Sequence, residues 1–80
     1  MKKIEVISID RIGLVGEISK ILSRINGNIV THTANVSSDG MTAISHFSAD
    51  VDLSREFDND ALSRRLKKIK NVRQVKISDI

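Results

Sequence analysis

The chain has no cysteine. Disulfides, thiolate metal sites and cysteine nucleophiles are excluded together, and a cytoplasmic home is the expectation. Tryptophan and tyrosine are also missing, and the only aromatic rings besides histidine are Phe47 and Phe57. A nucleic-acid surface built on base stacking is therefore disfavoured. No apolar run is long enough to span a membrane, and Met1-Lys2-Lys3 opens a charged stretch, unlike a signal peptide, so no membrane partner is expected. Eighty residues leave room for one domain, 1–80, with one core and no deep enclosed cleft. What is present suits a folded, soluble chain: 40% hydrophobic and 29% charged residues. Thirteen basic and ten acidic residues give a net charge of +3. The excess is uneven, because residues 61–76 carry Arg64, Arg65, Lys67, Lys68, Lys70, Arg73 and Lys76 and no acid.

Residues 2–9, rich in Ile and Val, predict a strand. Asp10-Arg11-Ile12-Gly13 follows as a turn, with Asp10 placed to cap a helix and Gly13 free in φ. Leu14, Ile18, Ile21, Leu22 and Ile25 recur at helical spacing and predict a helix over 13–26, closed by Asn26 and a left-handed Gly27. Residues 28–37 and 41–51 predict two strands around Ser38-Asp39-Gly40. A two-residue Asp39-Gly40 loop would pair Thr33 with His46. A three-residue loop with Gly40 as a bulge would pair His32 with His46, and Ser-Asp-Gly favours it. Residues 52–59 read as a loop. Asn59 or Asp60 caps a second helix over 59–70 with Leu62, Leu66 and Ile69 on its stripe. Asn71 ends that helix, and residues 72–79 form the last strand.

The order β-α-β-β-α-β predicts a ferredoxin-like plait of the mixed α/β class: one four-stranded antiparallel sheet with both helices on one face. Ile29, Phe47, Ala49 and Val51 fall on the inner face. In the favoured register the bare face carries Val30, Ala34, Val36, Ile44, His32 and His46. The strand starting at Asn28 lies at an edge and, over 28–37, has neither Pro nor Lys to block pairing. A homodimer is the expectation.

Asp10-Arg-Ile-Gly13-Leu-Val-Gly-Glu-Ile18 after a strand, with Asn28-Ile29 opening the next, resembles the ACT domain of amino-acid-sensing regulatory proteins. The resemblance spans essentially the whole chain, with Ile12 where the commoner pattern has Pro. Asp39-Gly40, the Phe47–Val51 strand and the Leu62, Leu66, Ile69, Val72, Val75 series look most like the C-terminal ACT domain of stringent-response (p)ppGpp synthetase/hydrolases. The resemblance implies a non-catalytic module, standing alone or forming part of an enzyme such as a GTP pyrophosphokinase. It also implies a small effector, an amino acid, bound between paired domains. The implied ligand residues are Asp10, Gly13, Leu14 and Val15, with Asn28 and Ile29. A helix start offers free amides to a carboxylate, and Asp10 suits an ammonium.

Other chemistries find less support. His32 and His46 paired across a hairpin would give a metal two ligands, too few for a structural site, and no third His or Cys exists. No nucleophile–base–orienter set emerges from the spacing. No cofactor is expected. The rival reading is an interaction module without a small ligand, which contacts an acidic protein or RNA through Arg64, Lys67 and Lys68.

Overall fold

The computed structural model describes residues 1–53 and 57–80. The described residues form β1 (Lys2–Ile9), α1 (Leu14–Arg24), β2 (Gly27–Asp39), β3 (Thr42–Leu53), α2 (Asn59–Lys67) and β4 (Val72–Asp79). They build one antiparallel sheet in the order β2-β3-β1-β4, the expected ferredoxin-like plait. β1 alternates buried and half-buried residues. Its Ile4 and Val6 join Phe47, Ala49 and Val51 of β3 on the covered face. The stripes Leu14-Ile18-Leu22-Ile25 and Leu62-Leu66-Ile69 complete the same core, so both helices lie on one side of the sheet. Ser8, buried at the end of that face, donates from Oγ to the Asn71 carbonyl at 2.9 Å.

Helix boundaries shift from the sequence expectation, each for a local reason. α1 starts one residue after Gly13, and Asp10 does not cap it: the N-cap is Gly13, without a side-chain hydrogen bond. Asp10 is instead held by its backbone, which donates to the Ala43 carbonyl at 2.9 Å. At the other end, Asn26 takes the left-handed conformation (φ 58). Gly27 already belongs to β2 and is required by closeness. A Cβ there would lie 3.0 Å from Val51 Cγ1 and 3.1 Å from both the Leu22 carbonyl oxygen and Leu53 Cδ2. α2 is capped by Asp58, not Asn59 or Asp60; its carboxylate accepts from the Asp60 amide at 3.1 Å. Asn71 does end that segment, at φ 74. The loop expected over 52–59 is shorter, because β3 runs on to Leu53, and 54–56 lie outside the described residues.

The hairpin departs most. Asp39 pairs with Thr42 across a two-residue Gly40-Met41 turn, so His46 faces Asn35, not His32 or Thr33. Gly40 takes φ 64 at the first loop position, as a type II′ turn requires, and that turn suits the twist of a tight hairpin. A bulge at Val30 then restores the pairing of Ile29 with Val51. Directly paired residues share a face. His32, Ala34 and Val36 therefore lie on the helix side, opposite Ala49, Phe47 and Ser45, and the His32 ring stacks on Phe47 with centroids 6.1 Å apart. Of the residues expected on the bare face, Ile44 and His46 remain there. That face is correspondingly polar, with Thr31, Thr33, Asn35, Ser48 and Asp50 around Ile7, Ile9 and Ile44.

Lys2 ties three elements together at the far end of the sheet. Its Nζ donates to Asn59 Oδ1 at the start of α2 and to Asp79 Oδ1 of β4, the latter at 2.6 Å. The Lys2 hydrogen bond, reinforced by its charge, holds the Asp79 carboxyl below its ordinary pKa.

Two predictions concern this framework. Gly27→Ala should destabilise the fold by about 1–2 kcal/mol in urea denaturation, because the carbonyl it strikes is fixed backbone. Gly16→Ala, whose Cβ would enter open space inside α1, should instead stabilise it by up to ~1 kcal/mol. For Lys2–Asp79, a depressed folded-state pKa means stability present above the unfolded carboxyl value and lost as pH falls through the folded one. Wild type should therefore exceed Asp79→Asn in melting temperature at neutral pH. The two curves should converge at acid pH, below the usual carboxylate range.

Candidate functional site

The loop between β1 and α1 is clamped onto the turn between α2 and β4. The Asn71 carbonyl accepts from the Ile9 amide at 3.1 Å as well as from Ser8. Arg11 donates from Nε to the Lys70 carbonyl at 3.2 Å and pairs through its guanidinium with Glu17. With Asp10 fastened to Ala43, the loop is held from both sides while its upper surface stays open.

That surface is the start of α1. Gly13, at φ 86, turns the chain into the helix, and its carbonyl accepts from the Glu17 amide at 3.0 Å. The Leu14 amide reaches the Arg11 carbonyl at 3.4 Å. Among the described residues the amides of Val15 and Gly16 have no acceptor. Free amides and the positive end of the helix dipole form a natural receptor for a carboxylate. Asp10 and Gly13 are exposed beside them, Val15 is 38% exposed and Ile12 fully so. Leu14 differs: its side chain is core, 2% exposed, and what it presents to the loop is backbone.

Asn28 and Ile29 are not part of this cluster within one chain. They pair with Asp52 and Val51, whereas the loop sits beside Ala43. β3 advances about 30 Å between those points at the usual strand rise. Asn28 is exposed and Ile29 partly buried against the core.

The edge expectation holds. Among the described residues β2 pairs only with β3 and its other side has no partner strand, and residues 31–38 are exposed. Val30 and Val36 add apolar surface, Val36 at 58% exposure. The idea of a shared metal on His32 and His46 fails on geometry, since the register puts them on opposite faces. No cluster of three or more metal-ligating side chains occurs among the described residues, and none of their helices is long and apolar enough to cross a membrane.

Arg64, Lys67 and Lys68 are exposed, as the helical stripe implied. The structure adds what α2 alone could not show. Lys20 and Arg24 of α1 stand across a groove from Arg65, Lys68 and Lys70. A larger hollow of about 680 Å³, bordered by Lys2, Phe57, Asp58, Asn59 and Asp79, lies at the end of the sheet. Its lysine is already engaged by Asn59 and Asp79.

No protein-family model matches the sequence, and no curated protein does. Solved structures match over nearly the full chain. The ACT domain from the GTP pyrophosphokinase of Chlorobium tepidum is 22% identical, with 96% of this chain and 95% of that one covered and a TM-score of 0.69. An ACT domain protein from Streptococcus pneumoniae is 20% identical over 96% and 85%, with a TM-score of 0.78. A formyltetrahydrofolate deformylase from Pseudomonas putida matches 99% of this chain but 28% of its own length, at 10% identity and a TM-score of 0.79. At these identities the likeness is one of architecture: the chain has the fold of the ACT domains, that of a GTP pyrophosphokinase among them.

Proposed function

We propose that the chain is a non-catalytic, cytoplasmic regulatory module of the ACT kind that binds an amino acid at the start of α1 and responds through pairing with a second copy. The observation that carries the reading is the pair of free amides at Val15 and Gly16, exposed beside the Asp10 carboxylate. One group of a zwitterion suits the amides, the other suits Asp10.

Pairing supplies what one chain lacks. A twofold antiparallel pairing of β2 edges about Thr33, its midpoint, sets Asn28 of one copy opposite Ser38 of the other. Ser38 pairs with Ala43, whose carbonyl holds Asp10. Asn28 and Ile29 would then approach the other copy's loop, and the two half-sites would form one cleft. The similarity to the GTP pyrophosphokinase domain favours a place in a (p)ppGpp synthetase/hydrolase, where this module would regulate and not catalyse. A second reading, contact with RNA or an acidic protein, rests on the exposed cations Arg64, Lys67 and Lys68.

Sedimentation at micromolar concentration should show a dimer, strengthened by the amino acid that binds, because an effector selective for the dimer shifts association toward it. Calorimetric titration against the twenty amino acids should find that ligand. Gly13→Arg should abolish its binding, while Gly13→Ala, which shares the backbone strain without the bulk, should retain part of it. A strictly monomeric profile, with no amino acid bound, would reject the reading.

A further inference from the structure

The groove between the helices is a second candidate site, on a different flank of α1 from the amide pair. It is an open depression of about 330 Å³, lined by Glu17, Lys20, Ile21 and Arg24 on one wall and Arg65, Lys68, Ile69 and Lys70 on the other. Five cations thus line one small hollow. Its acid, Glu17, is already paired with Arg11. Among the described residues none of the five cations forms an ion pair.

Helix electrostatics explain only part of this. Arg24 and Arg65 sit in the last turns of their helices, where positive charge complements the dipole. Lys20 sits in mid-helix, outside that range. Lys20 with Arg24 and Arg65 with Lys68 are like-charged neighbours at helical spacing, which costs stability in an isolated helix. Facing the two rows across one seam adds to the repulsion. A multivalent anion in the groove would relieve both. The floor is apolar, with Ile69 buried and Ile21 partly so. The Arg65 guanidinium lies 5.5 Å from the ring centre of Phe57, a residue outside the groove lining.

We propose that this groove binds a compact anion carrying several adjacent phosphates. Arginine forks and lysine ammoniums are the side chains that recognise phosphate. The shape favours a small ligand over a polynucleotide. The basic residues come from two walls of one open depression the size of a few phosphate groups, whereas a nucleic-acid backbone spreads its charges along an extended track. The source is either free polyphosphate or the phosphate tail of a nucleotide.

The test is titration with sodium tripolyphosphate, followed by amide chemical shifts and calorimetry, in parallel with adenosine triphosphate and adenosine monophosphate. The expected result is one site per chain, shifts centred on residues 20–24 and 65–70, and affinity falling as salt rises. Equal binding of tripolyphosphate and the triphosphate assigns the phosphates alone, while tighter binding of the nucleotide assigns Ile21 and Ile69 a share of the base. Lys20→Gln with Lys68→Gln should weaken tripolyphosphate about tenfold or more. Arg64→Gln with Lys67→Gln, outside the groove lining, should leave it unchanged. Circular dichroism melts verify that both pairs fold, and the wild-type shift map and salt dependence stand without them. No binding, equal loss in both variant pairs, or tighter binding of an RNA oligomer that depends on Arg64 and Lys67 would overturn the proposal. Gly13→Arg should leave this site intact, so it and the amino-acid site succeed or fail separately.

Discussion

The β2–β3 register decides what the bare face of the sheet and its free edge offer. It is pinned at one end by the two-residue Gly40-Met41 turn. At the other it is held by the close approach of Gly27 to Val51, Leu53 and the Leu22 carbonyl. The two anchors differ in phase by one residue, and the bulge at Val30 absorbs the difference. Between them His32, Ala34 and Val36 are turned to the helix side. The bare sheet face keeps Ile7, Ile9, Ile44 and His46 among threonine, serine, asparagine and aspartate. An antiparallel sheet can leave such a mixed face to water. Val30 and Val36 of the free-edge strand are exposed as well.

A second constraint runs through Asn71. Its left-handed backbone turns α2 into β4 and presents one carbonyl to both the Ser8 hydroxyl and the Ile9 amide. Arg11 reaches the neighbouring Lys70 carbonyl. The β1–α1 loop is thereby built against the end of α2, not merely strung between its own elements. Gly13 supplies φ 86 at low cost there. The amides of Val15 and Gly16 are consequently fixed in place at the start of α1.

Much of the fold was legible because it rests on periodicity. Leu14-Ile18-Leu22 and Leu62-Leu66-Ile69 name both helices and their buried sides, and the β-branched runs name the strands. Asn71 as a terminator and the β2 edge followed from the same pattern. The hairpin register was not legible, because Ser38-Asp39-Gly40-Met41 is compatible with several turns. Gly40 tolerates positive φ as the first residue of a two-residue loop or as a bulge, and local chemistry does not choose. The bulge at Val30 hides for a related reason: Ile29-Val30-Thr31 alternates acceptably in either phase. Asp10 misled because a cap needs its carboxylate one residue before the helix, and Arg11-Ile12-Gly13 intervene. The candidate loop came from the resemblance to ACT domains, with the chemistry of its residues consistent with it. Strand pairing adds that Asn28 lies at the opposite end of the sheet from the loop of its own chain.

The basic groove shows the same limit at the tertiary level. Lys20 and Arg24 were visible only as polar residues off an apolar stripe, and Arg65, Lys68 and Lys70 as part of a solvated run. Each set alone reads as an ordinary solvent face. Packing two amphipathic helices side by side on one sheet face leaves the flanks of their stripes in contact, so charges flanking Ile21 meet charges flanking Ile69. A single sheet with one layer of helices cannot enclose a ligand. Its concave surfaces are seams, and the groove between α1 and α2 is one of them. α1 borders both regions, with its amino-terminal amides above the loop and its Lys20–Arg24 flank on the groove. On the two proposed readings a ligand in either place would act on the same short helix, which would be the physical carrier of any coupling between them.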